Sequence, residues 1–135
     1  MSSEDTESVQ KLLNQLGYQA SLEEIRSRIG HLKSDSNHAV YVLDDQGIQG
    51  CIHLEKTISL LYGPRVQIRA FVVDEKKRGK GFGKALLLQA KNWAKNSNIK
   101  TIYLSANISR DRSHAFYLKN GFTKTKTSHF FEMNI

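Results

Sequence analysis

Residues 66–94 constrain this chain more than any other stretch. Val66-Gln67-Ile68-Arg69-Ala70-Phe71-Val72-Val73 is dominated by β-branched and aromatic residues and reads as a strand. A polar insert follows, Asp74-Glu75-Lys76-Lys77, and then a basic turn, Arg78-Gly79-Lys80-Gly81-Phe82-Gly83-Lys84, with glycine at every second position. From Ala85 to Ala94 the pattern becomes helical, with Leu86, Leu87, Ala90, Trp93 and Ala94 on one face. Glycine reaches positive φ at no steric cost, so successive N–H groups of such a turn can face one concavity. A helix starting there adds its unpaired N–H groups and the positive end of its dipole. Strand, glycine turn and helix N-terminus together make a seat for phosphate.

Two familiar phosphate loops are excluded. A nucleoside-triphosphate loop needs Gly, four residues, then Gly-Lys-Ser/Thr; here Ala85 follows Gly83-Lys84, and Arg78 stands where the first Gly belongs. A dinucleotide fingerprint needs Gly-x-Gly-x-x-Gly directly after the strand, within a βαβ unit; the spacing here is Gly-x-Gly-x-Gly behind a polar insert. What remains is Arg-x-x-Gly-x-Gly, residues 78–83. Alone, such a loop is equally a flexible surface turn.

A chain of 135 residues is expected to form a single domain, 1–135, with a sizeable core. The lone cysteine, Cys51, forms no internal disulfide and sits mid-strand, where core filler is favoured over a nucleophile. No apolar run approaches membrane-spanning length and the acidic N-terminus is unlike a signal peptide, so a cytoplasmic location with no membrane contact is expected. The net charge of +7 raises the question of nucleic acid. Much of the charge is local, on Lys76, Lys77, Arg78, Lys80 and Lys84. A polyphosphate ligand accounts for that ring as well as DNA or RNA does, and no nucleic-acid motif is present. The histidines show neither His-x-His nor His-Glu-x-x-His spacing, so no metal site is expected.

Taken in order, Val9, Leu12, Leu13 and Leu16 recur at helical spacing and Gly17 stops them. Ser21 and Glu24 form a capping box, opening a second helix that buries Leu22, Ile25, Ile29 and Leu32. Residues 38–43 and 48–56 form a hairpin about the turn 44–47. A looser connection, 60–64, leads into the central strand. After the central helix come a short strand, 101–104, a polar stretch, and a short helix with Ala115, Phe116, Tyr117 and Leu118. Asn120-Gly121-Phe122 ends it, and two closing strands are expected near 123–126 and 129–133. The class is α+β, order α-α-β-β-β-α-β-α-β-β, with a mostly antiparallel central sheet.

The loop at 78–83, this order, and a second segment together resemble the GNAT N-acetyltransferase family. The second segment is Leu104-Ser105-Ala106-Asn107, then His114-Ala115-Phe116-Tyr117-Leu118-Lys119-Asn120-Gly121-Phe122, similar to the family's Asn, Ala, Tyr-x-x-x-Gly-Phe signature. The family's first strand is not visible before Val9. The Leu-Ser-Ala-Asn tract and the Phe-Phe near the end also resemble the aminoalkylphosphonate acetyltransferases of that family.

The resemblance implies acetyl-CoA as co-substrate and direct attack of an amine on the thioester in a ternary complex. It implies that backbone groups of Phe71 and Val73 pair with the pantetheine arm, the Val73 amide also serving the thioester oxygen. It implies that the backbone of Arg78, Gly79, Lys80, Gly81, Phe82, Gly83 and Lys84 holds the pyrophosphate, that Asn107 hydrogen-bonds the pantetheine or acetyl end, and that Tyr117 serves the departing thiolate as catalytic acid. Tyr117 as helix packing and Asn107 as a loop cap are the plain alternatives. Many relatives place a Glu base where this chain has Gln67, which cannot take the proton. Substitutes are His53 or Glu55, which share a strand face, against an ordinary solvent-facing role for both. Gln67 and Tyr18 are further substrate-contact candidates.

The expectation is therefore an acetyl-CoA-dependent N-acetyltransferase of a small-molecule primary amine, with a homodimer left open. The alternatives are a CoA-binding sensor or structural member without turnover, supported by Gln67, and a basic nucleic-acid-binding module.

Overall fold

The first apolar stripe becomes helix α1, Thr6–Gln15, in the computed structural model, which describes residues 5–106 and 111–135. Val9 and Leu12 are buried on its inner face. Its end is a Schellman motif: Tyr18 N–H donates to the Leu13 carbonyl, Gly17 N–H to Asn14, and Gly17 sits at φ +91°. Helix α2, Leu22–Lys33, opens on the expected capping box. Glu24 N–H donates to Ser21 Oγ at 3.1 Å, and Ser21 N–H donates to Glu24 Oε1 at 3.2 Å. That bond to the Ser21 backbone, the Ser21 hydroxyl and nearby Arg28 hold the Glu24 carboxyl below its ordinary value. Ile25 and Ile29 are buried; Leu22 and Leu32 are only half-buried.

The sheet runs β1 His38–Asp44, β2 Ile48–Ser59, β3 Gly63–Val73 and β4 Ile102–Tyr103, in that spatial order. The first three strands are antiparallel and β4 is parallel to β3. Helix α3, Phe82–Asn96, packs against it. Adjacent residues on a strand point to opposite faces, and Gly50 and Cys51 show which helices lie where. A Cβ on Gly50 would stand 2.9 Å from Leu86 Cδ1 of α3. Cys51 instead joins Val9, Leu12, Ile25, Ile29 and Val72 beneath α1 and α2. Burial pushes its thiol up to about 12, so Cys51 is core filler. Leu86, Leu87, Ala90 and Ala94 of α3 are buried, with Ile52, Leu54, Val66 and Ile68 in the sheet. Trp93 is half-buried rather than core: the Lys56 ammonium caps its ring at 4.8 Å.

By contact the chain divides into 1–105, which holds all of this, and 106–135. The second unit carries helix α4, Asp111–Lys119, closed by its own Schellman motif. Phe122 N–H reaches the Tyr117 carbonyl at 3.0 Å, Gly121 takes φ +95°, and the Tyr117 and Phe122 rings meet edge-on at 5.6 Å. The Tyr-x-x-x-Gly-Phe spacing is thus the spacing of a helix end with its apolar clasp.

Several boundaries differ from expectation. β2 and β3 run on to Ser59 and from Gly63, so the supposed loose connection is a short turn. α3 begins at Phe82, which brings Gly83 and Lys84 into its first turn. β4 keeps only two residues. The two closing strands are absent: residues 123–135 carry no strand. A strand needs a paired backbone and an apolar face to bury. Residues 123–127 alternate Thr and Lys, and Phe130, Phe131 and Met133 are 81%, 94% and 82% exposed. No helix among the described residues is long and apolar enough to cross a membrane.

Candidate active site

The glycine turn is an open, cationic rim. Asp74 caps a single 3-10 turn, Glu75–Lys77, by accepting from Lys76 N–H, and Glu75 N–H donates to Gln15 Oε1, tying the turn to the end of α1. The chain then passes through Arg78 in extended geometry to Gly79 at φ +83° and Gly81 at φ +82°. Gly81 is the N-cap of α3; this left-handed position is what the first glycine of Arg-x-x-Gly-x-Gly serves. The first intrahelical bond runs from Ala85 N–H to the Gly81 carbonyl at 3.0 Å. The N–H groups of Phe82, Gly83 and Lys84 therefore have no carbonyl one turn back, at the positive end of a fifteen-residue helix. Arg78, Lys80 and Lys84 are exposed beside them. A Cβ on Gly79 or Gly81 would meet nothing within 4 Å, so the approach from outside is clear.

This rim continues the edge of β3. Among the described residues β4 pairs only Ile102 with Val66 and Tyr103 with Gln67, and the ladder stops there. Asp74 N–H donates across to the Gln49 carbonyl of β2 at 2.8 Å. Backbone groups alternate along an extended chain, so the neighbouring N–H of Val73 faces the edge away from β2. Phe71, two residues back, presents its amide to the same edge.

A polar network covers one sheet face. Cα pairing sets His38 opposite Glu55, Glu55 opposite Gln67, and Gln67 beside Tyr103. Arg69 is the extra residue of a β-bulge, since His53 pairs with Ala70 and Leu54 with Ile68. Arg69 Nη1 donates to Gln67 Oε1 at 3.0 Å and its Nε lies 3.6 Å from Glu55 Oε1. Tyr103 Oη also donates to Gln67 Oε1, at 3.2 Å, and lies 3.3 Å from Thr57 Oγ1. The Arg65 guanidinium lies over the rings of Tyr62 and Tyr103, at 4.1 and 3.7 Å, and its buried Nε has no acceptor among the described residues.

His53 lies on this face in β2, beside His38. Its Nε2 and His38 Nδ1 are 3.0 Å apart. Burial first, then the nearby charges of His38 and Arg69, push its imidazole down to about 4, so it is neutral at pH 7. Gln67 is an acceptor of two hydrogen bonds and takes no proton. Glu55 is held between Arg69 and His38, whose Nε2 is 3.7 Å away.

The structure thus brings His53 and Glu55 onto one face, as alternation predicts, and its register adds Gln67 to them. Tyr18 is exposed in the α1–α2 loop and joins none of these hydrogen bonds. Tyr117 lies within the 106–135 unit, and Asn107 lies outside the described residues. Sequence reasoning missed His38, Arg65, Arg69 and Tyr103. Period-two counting back from the 44–47 turn could have found His38; the others depend on a bulge and a parallel register that the sequence does not signal.

The family model described as Acetyltransferase (GNAT) family matches residues 6–122. Aminoalkylphosphonate N-acetyltransferase of Salmonella typhimurium is 32% identical over 133 residues, covering 94% of this chain and 82% of that protein. The crystal structure of the aminoglycoside 6'-N-acetyltransferase AAC(6')-Ig from Acinetobacter haemolyticus superposes with a TM-score of 0.86 at 19% identity, over 100% of this chain and 96% of that one. AAC(6')-Iy, in complex with the bisubstrate analog CoA-S-monomethyl-acetylneamine, superposes at 0.87 with 16% identity, over 100% and 95%. The chain belongs to the GNAT family, and so to the acyltransferases.

Proposed function

We propose that this protein is an acetyl-CoA-dependent N-acetyltransferase that moves the acetyl group to a primary amine of a small molecule by direct attack in a ternary complex. The observation that carries the reading is the continuity of two sets of donors: the outward amide of Val73, past the last β3–β4 pair among the described residues, and the uncapped N–H groups of Phe82, Gly83 and Lys84. Seven residues of loop, 74–80, and the Gly81 cap separate the two. A diphosphate on the helix end would place an acyl arm along the edge, with the Val73 N–H available to the thioester oxygen as its charge grows.

The amine must shed a proton as it attacks, and His53 receives it in place of the absent Glu. Gln67 holds Arg69 and Tyr103 in position. From the family resemblance Tyr117 hydrogen-bonds the departing thiolate; that role rests on its motif. A base on the sheet face favours turnover over a sensor that only binds CoA. Acceptors carrying an anion suit this face, where the Arg65 side chain forms no ion pair among the described residues, and the activity of the Salmonella typhimurium relative makes aminoalkylphosphonates the first acceptors to try.

The test joins calorimetry with acetyl-CoA to a thiol-release assay over aminoalkylphosphonates, polyamines and aminoglycosides. Binding with turnover of at least one acceptor supports the proposal. Binding without turnover leaves a CoA sensor, and no binding removes the reading altogether.

A further inference from the structure

We propose that His38 is a relay partner of His53, carrying the amine proton from the sheet face to solvent; this rests on the reading of His53 as proton acceptor. His38 begins β1 and His53 lies in β2, where the bases stack with ring centroids 5.2 Å apart and Nδ1 of His38 meets Nε2 of His53 at 3.0 Å. The other nitrogen of His38, Nε2, faces two carboxylates, Glu55 Oε2 at 3.7 Å and Asp35 Oδ2 at 3.8 Å. The charged groups about the pair are thus Asp35 ahead of β1, Glu55 on β2 and Arg69 on β3.

These neighbours fix the tautomers. A neutral imidazole has one donor and one acceptor nitrogen. Carboxylates beside Nε2 of His38 call for N–H there, which leaves its Nδ1 as an acceptor. His53 must then donate from Nε2, so its Nδ1 carries the lone pair and is free to take a proton. Among the described residues Nδ1 of His53 makes no hydrogen bond.

The proton balance follows. The attacking amine nitrogen gives its proton to Nδ1 of His53 as its electron pair forms the bond to the acetyl carbon and the carbon–sulfur bond breaks. His53 is then a cation in a place that disfavours one, with Arg69 near it. It passes its Nε2 proton to Nδ1 of His38. The positive charge now faces Glu55 and Asp35, and the latter side chain is 50% exposed. Loss of the Nε2 proton of His38 to solvent, followed by return of both tautomers, resets the pair. No proton or electron is left over. The arrangement removes the weakness of a base held near 4: His53 need not keep the proton, only pass it on.

Two measurements test this. In the first, His38→Ala and His38→Asn are assayed with acetyl-CoA and 2-aminoethylphosphonate, or the best acceptor of the panel, in a buffer that cannot enter the site and then with added imidazole. The expected result is a loss of tenfold or more in kcat, within the usual span of acid–base contributions, with rate restored by imidazole in the variants and not in the wild type. Unchanged turnover overturns the relay, and so does a loss that no buffer restores, which marks a structural role. In the second, the imidazole nitrogens of the wild-type protein are followed by 15N NMR against pH. His53 bearing its proton on Nε2 supports the relay; a proton on Nδ1 overturns it. This second readout stands whether or not any acceptor turns over, so the tautomer claim is decided separately from the enzymatic reading.

Discussion

Exchanging Gly81 for Glu and, separately, for Lys isolates the charge requirement of the proposed diphosphate seat. The backbone at this position is left-handed, φ +82°, which costs either side chain about 1–2 kcal/mol. Neither Cβ meets a neighbour, because the space within 4 Å is empty. The backbone strain is therefore common to the two variants, a fall in Tm of about 4–7 °C for 135 residues, with a smaller difference in favour of Glu from the positive end of the helix. They should differ in ligand affinity. Gly81 is exposed, so water's dielectric applies, and a unit charge about 6 Å from another contributes about 0.7 kcal/mol. Against about two negative charges on a diphosphate, that is about 1.4 kcal/mol, or tenfold. Gly81→Glu should bind acetyl-CoA about a hundredfold more weakly than Gly81→Lys, and added salt should narrow the gap. Calorimetry at low and high ionic strength measures both. Equal dissociation constants for the two variants, each measured well below its melting point, would refute the placement of the diphosphate.

Two further outcomes are expected. Tyr117→Phe keeps the edge-on ring contact with Phe122 and removes only the hydroxyl, so turnover should fall with acetyl-CoA affinity intact; wild-type rates would take Tyr117 out of the mechanism. His53 should make stability depend on acid. Its folded value near 4 lies below the ordinary 6.5, so the unfolded chain binds more protons between those values and stability declines as pH falls through that window. Discounted for a ring only partly covered, the loss is about 1–2 kcal/mol. Urea unfolding at pH 7 and pH 4.5 checks the sign, and His53→Gln should flatten the difference.

Local features were open to reading from residue order. The Ser21–Glu24 capping box, the stop at Gly17, and the clasp of Tyr117 with Phe122 each involve atoms a few residues apart, and each is present. The glycine turn was equally legible, because a left-handed position before a helix selects for glycine. Features set by pairing between distant segments were not. The His38–Glu55 register depends on an irregularity between Leu43 and Asp44, and Tyr103 reaches Gln67 only through a two-residue parallel ladder. Alternating Thr and Lys after Phe122 imitates a strand by period alone, without the partner that would make it one. The cluster on the sheet face was therefore seen in part: His53 and Glu55 by alternation, Gln67 through the family resemblance, and Arg65, Arg69 and Tyr103 by structure only.

Arg69 offers a last consequence. Splicing it out would leave Ile68 joined to Ala70, opposite Leu54 and His53 in unbroken succession, and every side chain from Ala70 to Val72 would keep the direction it has now. The hydrophobic interior has no use for this amino acid. The strand is longer by one than packing demands, and the surplus supplies the cation that steadies Gln67 and Glu55 and disfavours charge on His53. A shortened chain should thus fold with its interior undisturbed while surrendering the chemistry of its surface, a separation that few point substitutions in a central strand would permit.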